Sequence, residues 1–292
     1  MNNNYVLFLD SDCDITPEFA KKYGCELIIM PYKIGEKEIF PYVDFEEYDY
    51  HTYFDQLRHG VMPTTNALSP ADYVKAFEPT FKAGKDILYV HFSSAMSGTF
   101  NAMRLAYESL KEKYPERQLY TIDTKGITLC AYGIVCEVAE MYKQGASAEE
   151  LLKWAETEVD KFATYFFVTD LSFFRRSGRV KALAAIMGNI IGIKPIINMD
   201  GNGVITPHCK VMGTQKVMAK LLEYVDTLQD HLKDHKVIIT HSDALPLAEQ
   251  FEQKLKEKFG ADLKTEINVI NPTIGAHCGP DGIGVCFHAI HR

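Results

Sequence analysis

The chain has 292 residues, of which 47% are hydrophobic and 24% are charged, and its formal net charge is -8. This composition is typical of a globular protein long enough for two domains. The negative charge argues against nonspecific nucleic-acid binding, which needs a basic face. No apolar run approaches the roughly 20 residues of a membrane-spanning helix, so we expect no stable membrane insertion. The seven cysteines form no CxxC pair, which favours reduced thiols in a cytoplasmic protein.

The first half of the chain alternates strand and helix patterns. Apolar segments at residues 5–10, 86–92 and 118–123 end in polar residues and predict buried strands. Between them, Ser69-Pro70 predicts the start of one helix, and apolar residues at helical spacing predict another after Ser97. Strands that alternate with helices predict a mostly parallel sheet with helices on both faces.

Small hydroxyl and acidic residues follow each predicted strand of the first half. They are Asp10, Ser11 and Asp12, then Ser93 and Ser94, then Asp123 and Thr124. Ligands of parallel sheets bind beyond the carboxyl ends of the strands, so these side chains predict a site at one sheet edge. The turn at Gly98 also begins a helix there, and the N–H groups of a helix N-terminus favour an anion.

The second half begins with a different pattern. Residues 163–171 are predicted to form one strand, and two further strands meet at the hairpin sequence Asp-Gly-Asn-Gly of residues 200–203. Helical patterns at 182–191, 214–234 and 244–260 and a strand from Lys236 follow the same α/β scheme. A hairpin among such units predicts a mixed sheet. We therefore predict an N-terminal α/β domain at 1–160 and a C-terminal α/β domain with a mixed sheet at 161–292.

Five polar patches are candidates for chemistry, at residues 10–12, 63–67, 93–99, 175–179 and 274–280, the last interpreted as a Gly-rich turn. Each patch alone is equally well explained as a turn, a helix cap or a solvated loop. Together they combine hydroxyls, arginines and a histidine, which are the donors suited to a carboxylate or a phosphate.

Motifs for metals and nucleotides are missing. His231 and His235 are four residues apart in a segment predicted to be helical, but the glutamate of HExxH is absent. GxSxG, Walker A and GxGxxG motifs are absent as well. We therefore expect no metal and no cofactor, and any phosphoryl chemistry would use ATP held by another protein.

A series of short motifs extends over nearly the whole chain. In order, they are Asp10-Ser11 with Asp14, Thr65, Ser93-Ser94, Ser97-Gly98-Thr99, Ser177-Gly178-Arg179-Val180, Ile193-Lys194-Pro195-Ile196 and Ala276-His277-Cys278-Gly279-Pro280. In this order the chain resembles the DegV family, the fatty-acid-binding subunits of bacterial fatty acid kinase. Departures from the family pattern occur at Asn66, Ser177, Cys278 and Asp281.

The resemblance implies a two-domain α/β fold with a long-chain fatty acid buried between the domains. The hydroxyls of Thr65 and Ser97 would hold the carboxylate, with Asn66, Ser94 and Gly98 beside them. Arg179 and His277 would face the head group and the phosphate that it receives. A separate ATP-dependent kinase catalytic subunit would phosphorylate the carboxylate, and the acyl phosphate would pass to phospholipid synthesis. The chain itself would then be a lipid-binding subunit and not an enzyme.

Aromatic and aliphatic residues on either side of the basic loop are candidates for contacts with the acyl tail. They are Phe166, Phe167, Phe173, Phe174, Met187 and Ile190. Two other functions remain open. The chain would be a stand-alone hydrolase or phosphotransferase if Ser97, His277 and Asp10 acted together, or a lipid sensor or transport protein without a kinase partner.

Overall fold

The computed structural model describes residues 4–177 and 193–292 of the chain. The helix predicted at 182–191 lies outside the described residues. Two large sheets dominate the fold, and a small three-stranded sheet lies beside them. The α/β class, the parallel sheet in the N-terminal part and the mixed sheet in the C-terminal part are confirmed.

The first sheet has four parallel strands. In spatial order they are β2 (Glu26–Ile28), β1 (Tyr5–Asp10), β6 (Asp86–His91) and β7 (Leu119–Asp123). The three strands predicted here are confirmed to within one residue. β2 was not predicted, because a three-residue strand is too short to show an alternating pattern.

Helices cover both faces of the first sheet. The face that carries Phe8 packs against α3 (Pro70–Lys82) and its neighbour α4 (Thr99–Lys113). The other face packs against α1 (Pro17–Tyr23), α5 (Leu129–Lys143) and α6 (Ala148–Glu158). The predicted start of α3 is confirmed: the Ser69 hydroxyl accepts from the Asp72 N–H, and the Asp72 carboxylate accepts from the Ser69 N–H.

The second sheet has six strands and is mixed. In spatial order they are β10 (Ile205–Met212), β9 (Ile193–Met199), β8 (Phe162–Phe167), β13 (Ile283–His288), β11 (Val237–His241) and β12 (Thr265–Val269). β9 and β10 form the predicted hairpin. β11 and β12 pair in parallel within the same sheet. The outer face packs against α8 (Thr214–Leu228) and α9 (Leu245–Phe259).

The prediction that a helix continues to residue 234 is wrong. α8 ends at Leu228, and Gln229 forms a β-bridge with Ala289. His231 has a left-handed backbone (φ 49), so the segment that carries His231 and His235 turns back and is not helical. The two histidines therefore do not share a helix face.

Helix α5 lies between the two large sheets. It is buried along almost its whole length and contacts β1 of the first sheet and β8, β11 and β13 of the second. One hydrophobic core consequently extends from the first sheet, through α5, to the inner face of the second sheet. Among the described residues, no helix is both long and apolar enough to traverse a bilayer. The domain boundary at residue 160 stays a prediction.

A small sheet and three short helices lie beside the two large sheets. The sheet contains β3 (Tyr32–Ile34), β4 (Lys37–Ile39) and β5 (Thr64–Thr65), and the helices near it are α2 (Tyr50–Arg58), α7 (Leu171–Ser177) and α10 (Pro272–Cys278). The segment interpreted as a Gly-rich turn is thus largely helical. Asn271 caps α10 by accepting from the Ile274 N–H, and Pro272 occupies the first turn.

Candidate ligand-binding site

A cavity lies between the carboxyl edge of the first sheet and the inner face of the second. It contains about 1060 Å³ of space not filled by protein atoms, part of it open to solvent. Its wall is mostly apolar, with Met30, Phe92, Leu129 and Ile274 among the residues that form it. The position at the ends of the parallel strands is the one expected for a ligand of such a sheet.

Thr65 and His277 meet at one side of this cavity. Thr65 Oγ1 and His277 Nε2 lie 3.0 Å apart in a hydrogen bond whose donor depends on the His277 tautomer. Both residues are half-buried and line the cavity, and the neighbouring Asn66 and Ala67 are exposed. This side of the cavity therefore combines polar donors with access to solvent.

Several packing contacts hold this pair in place. β5 brings Thr65 opposite Tyr32 of β3, and the Arg176 guanidinium of α7 donates to the Pro63 carbonyl oxygen at 3.0 Å. Gly275 lets α10 approach α2 closely, because a Cβ there would lie 3.1 Å from both Phe54 Cζ and Tyr53 Cε1. The segment predicted as a basic loop is helical as far as Ser177, and its Arg176 supports the strand that carries Thr65.

Ser97 lines the cavity at the N-terminus of α4. Its hydroxyl accepts from the Thr99 N–H at 3.2 Å. Because this bond uses a lone pair, the hydroxyl hydrogen can still donate to an anion. Gly98 is the exposed N-cap residue of α4 and lies outside the cavity wall.

Ser94 and Asn66 make bonds that the sequence did not predict. Ser94 is exposed and lies outside the cavity wall, and its hydroxyl donates to Asp123 Oδ2 at 2.5 Å. Asn66 lines the cavity, but its exposed amide donates to Glu38 Oε1 at 2.8 Å. Ser94 is therefore engaged with the end of β7, and Asn66 with β4.

The residues predicted to contact the acyl tail, and Arg179, fall into three groups. Phe166, Phe167 and Phe174 line the cavity. Phe173 packs instead against the turn at Gly279, where a Cβ would lie 2.5 Å from the Phe173 ring. Arg179, Met187 and Ile190 lie outside the described residues.

The acidic residues after β1 are buried and mainly structural. Asp10 accepts from the Phe92 N–H, the Asp12 N–H and the Tyr89 hydroxyl, and burial raises its pKa to about 7. Asp14 accepts from the backbone and the amide of Asn271 and so links the first sheet to α10. The predicted meeting of polar residues at this sheet edge is confirmed. The bonds of the described residues nevertheless do not join Ser97, His277 and Asp10 into a relay.

The structure adds polar cavity residues that the sequence interpretation missed. Thr240, His241 and Ser242 follow the apolar part of β11, as the polar residues after β1 and β6 do. The same rule about strand ends would have found them. Burial lowers the pKa of His241 to about 4. Its Nδ1 accepts from the Ala244 N–H at 3.2 Å, so the neutral ring carries its proton on Nε2.

Metal binding has no support in the part of the chain that the structure describes. No group of three or more His, Cys, Asp or Glu side chains is arranged to hold an ion there. Burial raises the pKa of the Cys278 thiol, so this residue is a neutral thiol at the site.

A mostly apolar cavity with a few convergent polar groups is the form that binding sites for small amphipathic molecules take. The model of the DegV family matches residues 5–289, and the chain belongs to this family. A DegV domain-containing protein of Clostridium perfringens is 31% identical over 283 residues, which are 97% of each chain. One from Lactococcus lactis is 25% identical over 285 residues, covering 96% of each.

Solved structures share the fold. A stearic acid-binding protein from Eubacterium ventriosum superposes with a TM-score of 0.85 at 22% identity, covering 98% of each chain. DegV, a fatty acid binding protein from Bacillus subtilis, superposes with a TM-score of 0.82 at 23% identity, covering 99% of this chain and 100% of that one.

Proposed function

We propose that this protein binds a long-chain fatty acid in the cavity between its two sheets and presents the carboxylate to a separate ATP-dependent kinase subunit. The observation that carries the proposal is the Thr65–His277 pair, 3.0 Å apart, beside an otherwise apolar cavity. Proteins with this fold support it, since a stearic acid-binding protein and other fatty-acid-binding proteins are among them.

The apolar wall provides the affinity for the tail. Removing a CH₂ group from water contributes about 0.8 kcal/mol, so about 14 buried methylenes contribute on the order of 11 kcal/mol before the losses of ordering. Phe166, Phe167 and Phe174, together with aliphatic residues from both sheets, supply this surface.

The polar side of the cavity positions the head group. The Ser97 hydroxyl can donate a hydrogen bond to a carboxylate oxygen. The Thr65 hydroxyl can do the same when His277 Nε2 is the donor of the bond between Thr65 and His277. The N-terminus of α4 adds a partial positive charge beside Ser97. Arg179 stays a predicted contact of the head group.

The phosphoryl step takes place on the bound carboxylate. A carboxylate oxygen attacks the γ-phosphorus of ATP, the bond between that phosphorus and the bridging oxygen of ADP breaks, and acyl phosphate and ADP result. Such transfers depend on position and charge more than on covalent chemistry. Because this chain contains no Walker A motif, the partner holds the ATP.

Native mass spectrometry of the purified protein tests the binding function, followed by denaturing extraction of any ligand. A stoichiometric fatty acid is the expected result. An unliganded mass, with no uptake of added stearic acid, would overturn the proposal.

The kinase function needs a second assay. The loaded protein, ATP and a bacterial fatty acid kinase catalytic subunit are combined, and acyl phosphate is trapped with hydroxylamine. Product that requires both proteins is the expected result. Intact lipid binding without product from any such subunit would favour a sensor or transport protein, and turnover by this chain alone would favour a stand-alone enzyme.

A further inference from the structure

The apolar cavity contains buried oxygens that have no hydrogen-bond partner among the described residues. They are Asp12 Oδ1, Thr164 Oγ1 and Thr240 Oγ1, on residues that line the cavity and are only 5%, 2% and 4% exposed. Native proteins satisfy nearly all such groups, because a buried polar atom without a partner is destabilising. A cavity built only for a hydrocarbon chain would not need them.

Thr240 faces the cavity from the middle of the second sheet. Along β11, Val237 and Ile239 belong to the outer core and Ile238 to the inner core, so the alternation directs Thr240 to the inner side. Its strand partner is Gly284, which has no side chain to cover the hydroxyl. Thr164 lies beside the thiols of Cys130 and Cys286, which are weak partners, so Thr240 is the clearer case.

Asp12 provides a second polar group on the opposite wall. The Thr128 N–H donates to the Asp12 carbonyl oxygen, and the next residue, Leu129, lies above Gly284. Asp12 and Thr240 therefore line the same cavity, Asp12 from the side of the first sheet and Thr240 from the second sheet. Burial raises the pKa of the Asp12 carboxyl well above its usual range, and Asp10 and Asp14 raise it further. A protonated carboxyl can both donate and accept.

This polar region is separated from the head-group side by the length of α10. Asn271, the cap of α10, is bonded to Asp14, two residues beyond Asp12, and His277 lies near the other end of the helix. Six residues of helix span about 9 Å. A fatty acid held at Thr65 and His277 would therefore reach the polar region partway along its tail.

We propose that this protein prefers a long-chain fatty acid with a mid-chain hydroxyl group, which hydrogen-bonds to Thr240 and Asp12. The inference rests on the proposed fatty-acid-binding function and narrows its ligand class. The competing occupant is ordered water, which also satisfies buried polar groups in cavities of sufficient size.

Oleic acid and ricinoleic acid form a matched pair for the test, because ricinoleic acid is oleic acid with one mid-chain hydroxyl. The delipidated full chain is titrated with each acid by calorimetry. We expect ricinoleic acid to bind about tenfold more tightly, the effect of one or two buried hydrogen bonds. An α-hydroxy fatty acid, whose hydroxyl lies beside the carboxylate, should show no such gain.

Two variants of Thr240 test whether its hydroxyl causes the preference for ricinoleic acid. Thr240→Val keeps the shape but removes the hydroxyl, so oleic acid should bind more tightly and ricinoleic acid more weakly. Thr240→Ser keeps the hydroxyl and should keep the preference for ricinoleic acid. Melting curves of both variants establish that they are folded.

Each outcome decides the inference. Equal affinities, or tighter binding of oleic acid by the unmodified chain, would overturn it and leave the proposed function intact, with water as the partner of the buried oxygens. A preference that survives in Thr240→Val would overturn the assignment to Thr240. Binding of neither acid would overturn the proposed function and this inference with it.

Discussion

Arg58 and Asp281 are joined by an ion pair with Nη2 2.6 Å from Oδ1, although 223 positions separate them in the sequence. Arg58 Nη1 also lies 2.6 Å from Asp243 Oδ2. Asp243 and Asp281 both have left-handed backbones and adjoin Ser242 and Gly282 of the cavity wall. Arg58 of α2 therefore ties two cavity-forming turns to the first half of the chain, and one of its partners, Asp281, is a departure from the family pattern.

Replacing Arg58 should loosen this connection. In Arg58→Ala we expect a loss of about 1 kcal/mol in the free energy of unfolding, since the pairs are partly exposed and screened by salt. The release rate of a bound fatty acid should rise as well. Thermal melting at low and high salt and stopped-flow release measure the two effects.

Arg104→Ala is the matched control for Arg58. Arg104 pairs with Glu108 within α4, so it joins no separate elements. Release from this variant should match the unmodified chain. An equal acceleration in both variants would contradict a specific role of Arg58.

Thr65 should contribute directly to affinity. In Thr65→Val the hydroxyl is lost while the shape is kept, and we expect stearic acid to bind about tenfold more weakly. Thr157→Val removes an exposed hydroxyl of α6 that donates to the Trp154 carbonyl oxygen, and binding should not change. Calorimetric titration measures both. Unchanged affinity in Thr65→Val would show that the Thr65 hydroxyl does not contribute to ligand binding.

Asp14 should make stability depend on pH. Burial raises its pKa from 3.8 to about 7. The folded chain keeps this proton up to about pH 7, whereas the unfolded chain loses it near pH 4, so stability falls as pH rises between these values. Asp14→Asn should remove this loss and be about 2 kcal/mol more stable than the unmodified chain near pH 8.

Chemical denaturation near pH 5 and pH 8 tests the effect of Asp14. The Asn271 N–H and amide can still donate to the side-chain oxygen of Asn at position 14. Asp55→Asn, at a side chain that is 63% exposed, should change stability little at either pH. A variant of Asp14 that is destabilised equally at both pH values would refute the explanation.

Gly284 should limit the space in the cavity. A Cβ at this position would lie 2.7 Å from Phe166 Cβ and 3.0 Å from Leu129 Cδ1. We expect Gly284→Ala to lower the free energy of unfolding by about 1–3 kcal/mol through overpacking, and to weaken the binding of stearic acid. Gly201→Ala meets open space and should change neither quantity. Denaturant melts and titrations of both variants provide the comparison.

Short sequence signals were sufficient to predict those helices and strands whose start or end depends on neighbouring residues. The capping box of Ser69 and Asp72 marked the start of α3, and residues 200–203 marked the hairpin between β9 and β10. The apolar runs that end in Asp10 and Asp123 marked two strands of the parallel sheet. In each case the signal and the structure occupy the same few residues, so the sequence alone determined them.

Only the tertiary structure decided how distant residues combine. Thr65 and His277 are 212 positions apart and meet because β5 pairs with β3 and α10 packs on α2. The two- and three-residue strands of the small sheet are too short to show a period. The exposure of Ser94 and the unsatisfied Thr240 hydroxyl depend on neighbours that only folding supplies. A sequence pattern states which face of an element is buried, but the chain's long-range packing selects what that face meets.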